Sequence, residues 1–208
     1  MLLAVHGPNA PDLVDSTIGF PPTRFRVESG SFAGHPVVAA GTGYTGERGA
    51  EICVPIETGE HLWDVLVSAG AKPAALGARD TLRLEMGYSL WGQDLSKDTS
   101  PIEAGLEWVV AWDHEFIGRD ALHRIKENPP SELVAFTTQG RAIPRHGYEI
   151  RTTTGKGVVT SGNFSPSLGH GIGLAYVTPP LSADESMTVI IRGKDIEATI
   201  VETPFLKK

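Results

Sequence analysis

Four glycines fall within positions 41–49, at Gly41, Gly43, Gly46 and Gly49, and they constrain the fold more than any other feature of the chain. Only glycine takes positive φ freely and lets another group approach the backbone closely, so Gly41 to Gly49 reads as a tight, bare turn. The turn runs into the strand-like Glu51-Ile52-Cys53-Val54. Strand alternation places Glu51 and Cys53 on one face and Ile52 and Val54 on the other. With the aliphatic pair toward a core, Glu51 faces a cleft or water, and Tyr44 stands at the entrance of the same turn. An ordinary hairpin with a solvated glutamate satisfies the same pattern. A phosphate loop does not, because no Gly-Lys-Ser/Thr follows, and a dinucleotide fingerprint would lead into a helix rather than a strand.

Upstream of the turn, Leu2 to Val5 reads as a buried strand, and Asn9 as the N-cap of a short helix through Val14 with Pro11 in its first turn. Phe25 to Glu28 and Pro36 to Ala40 read as strands, the second apolar throughout and so expected to be covered on both faces. Downstream, Leu62, Trp63, Val65, Leu66 and Ala69 recur at helical spacing in Gly59 to Ala69, with Gly70 closing a packing helix. Pro73 to Gly87 is a second helix, on which Arg79 and Arg83 share a face. Arg79 and Arg83 form either a solvated basic edge with internal ion pairs to Asp80 and Glu85 or part of a ligand site.

Loops follow at Tyr88 to Asp94 and Asp98 to Pro101, then one helical turn from Pro101 to Gly105. Leu106 to Trp112 alternates as a strand would, placing Trp108, Val110 and Trp112 on one face. Such tryptophans fill a core or, at a cleft edge, stack on a flat heterocycle. Gly118 to Lys126 is a short amphipathic helix. From Ser131 the texture changes to short runs, Leu133 to Thr137, Gly147 to Arg151, Gly157 to Ser161, Ile172 to Val177, Met187 to Arg192 and Ile196 to Val201, separated by turn residues. Evenly spaced strands of this kind build a small barrel or sandwich. The expected organisation is α+β: a mixed α/β lobe over residues 1–128, then a small C-terminal antiparallel β-barrel over 129–208.

Composition removes several function classes. With Lys+Arg 18 against Asp+Glu 25, the formal charge is -7, which argues against a nucleic-acid surface. No apolar run approaches bilayer length, so no membrane partner is expected. The one cysteine, Cys53, cannot form an internal disulfide or a metal cluster by itself. It reads as a small buried hydrophobe in a reducing compartment. No metal site is expected.

Several stretches taken together resemble the C-terminal part of the aminomethyltransferase of the glycine cleavage system, the T-protein family. They are Gly43-Tyr44-Thr45-Gly46-Glu47 through Glu51, Ala78 to Glu85, Thr99-Ser100-Pro101-Ile102-Glu103 through Leu106-Glu107-Trp108, Val159 to Leu168, and Thr203-Pro204-Phe205. They occur in family order along nearly the whole chain. The resemblance implies transfer of a methylene group from an aminomethyl-lipoyl arm, carried by the H-protein, to tetrahydrofolate as co-substrate, with release of ammonia.

In the resemblance, Glu51 matches the pterin-binding glutamate, Tyr44 a tyrosine of the same pocket, Arg79 the folate-site arginine and Trp108 an aromatic packed on the folate body. Arg83 and Glu85 are expected as a supporting ion pair, and Arg145 and Tyr148 match a family stretch of the barrel. Two departures stand out. Arg48 occupies a position usually acidic, and the family carries a segment upstream of Leu2 that supplies an aspartate near the reacting nitrogens, so no residue here is assigned as catalytic. The resemblance therefore implies a fragment of the family pattern with impaired activity, exposed apolar surface around Leu2 to Val5 and Pro36 to Ala40, and self-association through it. The expected location is cytoplasmic, or the mitochondrial matrix in a eukaryote. The alternatives are a non-catalytic folate-binding or assembly module and the folate domain of a dimethylglycine or sarcosine dehydrogenase-like enzyme.

Overall fold

The computed structural model describes residues 1–182 and 185–207, so residues 183, 184 and 208 of the expected 129–208 barrel segment lie outside the described residues. They form two compact units, Met1–Arg83 and Leu84–Lys207.

In the first unit, β1 (Leu2–His6), β2 (Val27–Phe32), β3 (His35–Ala40) and β4 (Gly49–Cys53) form a sheet of order β1-β4-β3-β2. Every pairing is antiparallel. Helices α1 (Ala10–Ile18) and α2 (Ile56–Ser68) cover one face. Val14, Ile18, Leu62 and Leu66 pack there against Val5, Val37, Ala39, Ala50 and Ile52. This is how an amphipathic helix hides its apolar stripe on the inward-facing alternate residues of strands. Helix α1 runs past Val14 to Ile18, where Gly19 closes it at φ 85°. Asn9 stands at its N-cap position without a side-chain cap. At the end of α2, the amide of Ala71 donates to the Leu66 carbonyl and that of Gly70 to Val67, the paired bonds of a Schellman motif. Helix α3 (Leu76–Glu85) spans the division between the units.

The opposite sheet face corrects three expectations. Strand β3 is not covered on both sides, because Val37 and Ala39 are buried while Val38 is 42% exposed. Strand β1 is not wholly buried, since Leu2 is 63% exposed. Cys53, on the same face as Glu51, is exposed rather than buried. Alternation outranks local hydrophobicity in each case: helices on one side hide every second residue and no more. The strand expected from Phe25 begins at Val27, since Phe25 has φ 60°, outside the extended region.

In the second unit, Ser100 and Glu103 bracket the turn expected at Pro101. The Glu103 amide donates to Ser100 Oγ and the Ser100 amide to Glu103 Oε2, both at 3.2 Å, a capping box with Pro101 at the first helical position. Leu106 to Trp112 is not a strand. Glu107–Val109 forms a 3-10 turn, because a short apolar run carries too little periodicity to choose between extended and helical backbone. Helix α4 (Arg119–Glu127) follows, and Trp112 packs against its His123 with ring centroids 4.4 Å apart.

The six expected strands are present as β5 (Glu132–Thr138), β6 (Glu149–Thr152), β7 (Lys156–Ser165), β8 (His170–Thr178), β9 (Met187–Ile191) and β10 (Lys194–Val201). They close a barrel in the order β10-β5-β8-β7-β6-β9. Its interior holds Phe136, Ile150, Val159, Val177, Met187 and Val189. Gly173 has no substitute there, since a Cβ would overlap the Phe136 ring. Among the described residues no helix is long and apolar enough to cross a membrane.

Candidate functional site

The glycine turn of the first unit connects β3 to β4, and its shape is set by what approaches it. A side chain at Gly43 would overlap the His6 imidazole, and Gly49 has φ 150° against the Val5 carbonyl. His6 Nε2 donates to the Thr42 carbonyl at 3.1 Å, tying the turn to the end of β1. Thr42 then reaches across the turn, and its Oγ1 donates to Glu51 Oε2 at 2.5 Å. One carboxylate oxygen is thereby oriented, while Oε1 accepts no hydrogen bond from a described residue.

Register explains why the carboxylate is accessible. Glu51 pairs with Ala4 of β1 and Ala40 of β3, so its lateral neighbours on the outer sheet face are both alanines. Side chains this short do not screen the carboxylate, and Ile52 and Val54, 0% and 4% exposed, hold the strand to the core behind it. Glu51 itself is half-buried.

Tyr44 and Arg79 come from separate elements, the turn and the first part of α3. The guanidinium carbon of Arg79 lies 4.4 Å from the Tyr44 ring centroid, a cation–π stack. Arg83, four residues on, is 1% exposed and takes a different role. Its Nε and Nη2 both lie 2.8 Å from Asp80 Oδ1. The two arginines thus share a helix face in sequence but not an environment: Arg79 is exposed and Arg83 is held in an ion pair.

The remaining expected residues lie in the second unit. Trp108 stands on the 3-10 turn and is 81% exposed. Glu85 is buried at 1% exposure and accepts from Ser165 Oγ at 2.6 Å, so this carboxylate is held within the second unit by the end of β7. Arg145 donates to Asn163 Oδ1 at 3.2 Å on the outside of the barrel.

A buried polar centre that sequence reasoning missed sits at Asp94, which is 0% exposed. Its carboxylate accepts from Thr160 Oγ1 at 2.5 Å, Ser161 Oγ at 2.7 Å and the Leu90 amide at 2.8 Å. Consecutive strand residues ordinarily point to opposite faces. The register shift between Val159 and Ser161 is a bulge that turns both hydroxyls toward one acceptor. Tyr176 adds a hydrogen bond to the Asp94 carbonyl at 3.0 Å. Burial, with the charges of Glu103 and Asp94 nearby, pushes the Tyr176 hydroxyl up to about 12. The second miss is Thr42, whose only sequence signal is its place between two glycines of the turn.

Chemically, the first unit offers a carboxylate with one oxygen pinned and one open, flanked by small residues, and, on the turn that leads into the same strand, an aromatic ring stacked by a guanidinium. Such a set accepts adjacent N–H donors of a flat heterocycle and offers cationic hydrogen bonds to its carbonyl or acidic groups. Among the described residues no group of three or more His, Cys, Asp or Glu side chains could hold a metal ion.

Comparison with known proteins gives the family. Residues 1–114 match the GCVT N-terminal domain, and residues 132–207 match the glycine cleavage T-protein C-terminal barrel domain. The chain is 42% identical over 216 residues to the aminomethyltransferase of Halothermothrix orenii, covering 99% of this chain and 60% of that one. It is 45% identical over 215 residues to that of Synechococcus elongatus, covering 99% of this chain and 58% of that one. The crystal structure of glycine cleavage system aminomethyltransferase T from Bartonella henselae superposes with a TM-score of 0.85 at 32% identity, over 99% of this chain and 59% of that one. The chain thus spans about three fifths of the length of the relatives it matches. With family matches to both halves and solved-structure similarity over almost its full length, the chain belongs to the aminomethyltransferase family, the T-proteins of glycine cleavage.

Proposed function

We propose that this chain provides the folate-binding portion of a tetrahydrofolate-dependent aminomethyltransferase, which moves a methylene group from an aminomethyl-lipoyl carrier, the H-protein, to tetrahydrofolate and releases ammonia. The observation that carries this reading is the Glu51 carboxylate, oriented by Thr42 and set between two alanines. A reduced pterin presents an amino group and a ring N–H side by side, and one carboxylate accepts both in a charge-assisted pair. The residues present fit that group. Glu51 would hold the pterin, Tyr44 would wall its pocket, and Arg79 would meet the carbonyl side or the acidic tail. Trp108, exposed on its turn, would supply apolar area to the folate body.

Tetrahydrofolate supplies the nucleophilic nitrogen that accepts the one-carbon unit. The chain's own residues bind and orient it, and orientation is the source of much rate enhancement in such transfers. The proton-handling aspartate that the family resemblance implies is assigned to no residue of this chain. The chain is therefore assigned binding and positioning, with full turnover depending on the rest of the family pattern. A cytoplasmic location, or a mitochondrial matrix one in a eukaryote, fits this reading.

Calorimetric titration with a reduced folate tests the reading. Glu51→Ala is expected to weaken binding about tenfold or more, the worth of a hydrogen bond to a charged group. Unchanged affinity would remove the pterin assignment. An assay with aminomethylated lipoyl carrier and tetrahydrofolate separates a catalytic chain from a non-catalytic binding module.

A further inference from the structure

One side chain lies against both ends of the glycine turn. A Cβ at Gly43 would come within 2.3 Å of His6 Nε2, and one at Gly49 within 2.8 Å of His6 Cδ2. The turn is thus closed around the His6 imidazole, and glycine is required where a side chain would collide with the ring. Strand register puts the ring there. His6 pairs with Gly49 and Ala4 with Glu51, so alternation sets His6 on the same sheet face as the Glu51 carboxylate, with Val5 turned to the core at 9% exposure.

The hydrogen bond from the ring fixes its proton. A carbonyl oxygen only accepts, so the contact of His6 Nε2 with the Thr42 carbonyl at 3.1 Å requires the hydrogen on Nε2. Thr42 in turn gives its hydroxyl to Glu51 Oε2 at 2.5 Å. Two hydrogen bonds therefore run in series from the end of β1 to the carboxylate, the first holding the Thr42 backbone and the second using its side chain. A β-branched residue has few χ1 choices, so where the Thr42 backbone is held decides where its hydroxyl points.

We propose that His6 is a positioning residue of the Glu51 site, which acts through Thr42 rather than by touching the ligand; the inference rests on the reading of Glu51 as a pterin acceptor. The geometry distinguishes this role from that of a histidine that fills space. A space-filling ring needs volume alone, whereas this one needs a donor at the Nε2 position. Glutamine carries an amide nitrogen to about that position. Asparagine, with a shorter side chain, carries it to about that of Nδ1, short of the Thr42 carbonyl.

His6→Asn and His6→Gln are compared by calorimetric titration with tetrahydrofolate, with circular dichroism to verify that both are folded. His6→Asn is expected to weaken binding about three- to tenfold, the worth of one hydrogen bond passed on through Thr42, and His6→Gln to regain most of that loss. In a Thr42→Val background the same His6→Asn change should cost less than about twofold, because the hydroxyl through which His6 acts is already gone. Nitrogen NMR of the His6 ring in alkaline buffer, without folate, should show the Nε2–H tautomer. An Nδ1–H tautomer would overturn the proposal, as would equal affinities for His6→Asn and His6→Gln, or His6→Asn and Thr42→Val losses that simply add. Glu51→Ala in the same titration keeps the two readings apart. A loss there with none for His6→Asn removes the role of His6 alone, whereas no loss for either removes the pterin reading and this inference with it.

Discussion

Thr42 Oγ1 donates to Glu51 Oε2 at 2.5 Å across a turn whose length in sequence gives no hint of the contact. The hydroxyl fixes one lone-pair direction of the carboxylate before any ligand arrives, and a pre-oriented acceptor loses less rotamer freedom on binding. Thr42→Val keeps the shape and removes the donor. It is expected to weaken reduced-folate binding about five- to tenfold, and Thr42→Ser to restore most of the loss. Because Thr42 and Glu51 are both only partly buried, the midpoint of denaturant unfolding should move little. A Thr42→Val protein that binds as tightly as the parent would show that the hydroxyl does not orient the site.

Arg79 lies over the Tyr44 ring at 4.4 Å from its centroid. Arginine stacks through a flat guanidinium, which lysine lacks, so the pair is not equivalent under a change of cation. If Arg79 serves the ligand, Arg79→Lys should weaken folate binding by about 1 kcal/mol, and Arg79→Met by more, at nearly unchanged stability. Calorimetry at two salt concentrations checks this. The Arg79→Met loss should shrink as salt rises, since an exposed charge is screened.

The fold was legible where sequence periodicity and steric rules agree. Glycine spacing marked the turn, alternation put Ile52 and Val54 inward and Glu51 outward, and six runs separated by turn residues became β5 to β10. The β3 stretch misled, because Val37 and Val38 are equally aliphatic and only the position of the helices decides which is buried. Trp108 misled for a related reason: a short apolar run is compatible with a strand or a 3-10 turn until its neighbours are known. Thr42 and Asp94 were illegible. Each depends on which residue a chain-distant partner brings alongside, and for Asp94 on a bulge that no local pattern announces.

Asp94 gathers Thr160, Ser161 and the Leu90 amide around one buried carboxylate. Asp94→Ala would leave the Leu90 amide without its acceptor and the two hydroxyls with the longer bonds to the Leu174 carbonyl, at 3.2 Å, and to Gln93 Oε1, at 3.3 Å. A loss of about 3–5 kcal/mol in unfolding free energy is expected, as for other buried charged networks broken on one side. Asp94→Asn keeps the volume but presents a donor to donors, and should cost less, about 1–3 kcal/mol. Urea denaturation reads both values. A change under 1 kcal/mol for Asp94→Ala would mean that the three donors find other acceptors.

Tyr176 ties the barrel to this same loop through the Asp94 carbonyl, and its hydroxyl is raised from 10.0 to about 12 by burial and by the charges of Glu103 and Asp94. The folded state thus keeps the proton that the unfolded chain gives up near pH 10. Its contribution to stability is fully present below pH 10 and is lost as pH rises from there through about 12. Partial exposure screens the effect, so about 1 kcal/mol is a reasonable size rather than the full value of the shift. Tyr176→Phe removes the titrating group, and the stability difference between parent and variant should narrow across that interval while remaining flat from pH 7 to 9. A difference that is constant from pH 7 to 12 would show that Tyr176 titrates alike in the folded and unfolded chains, and would leave its hydrogen bond to Asp94 with a purely packing role.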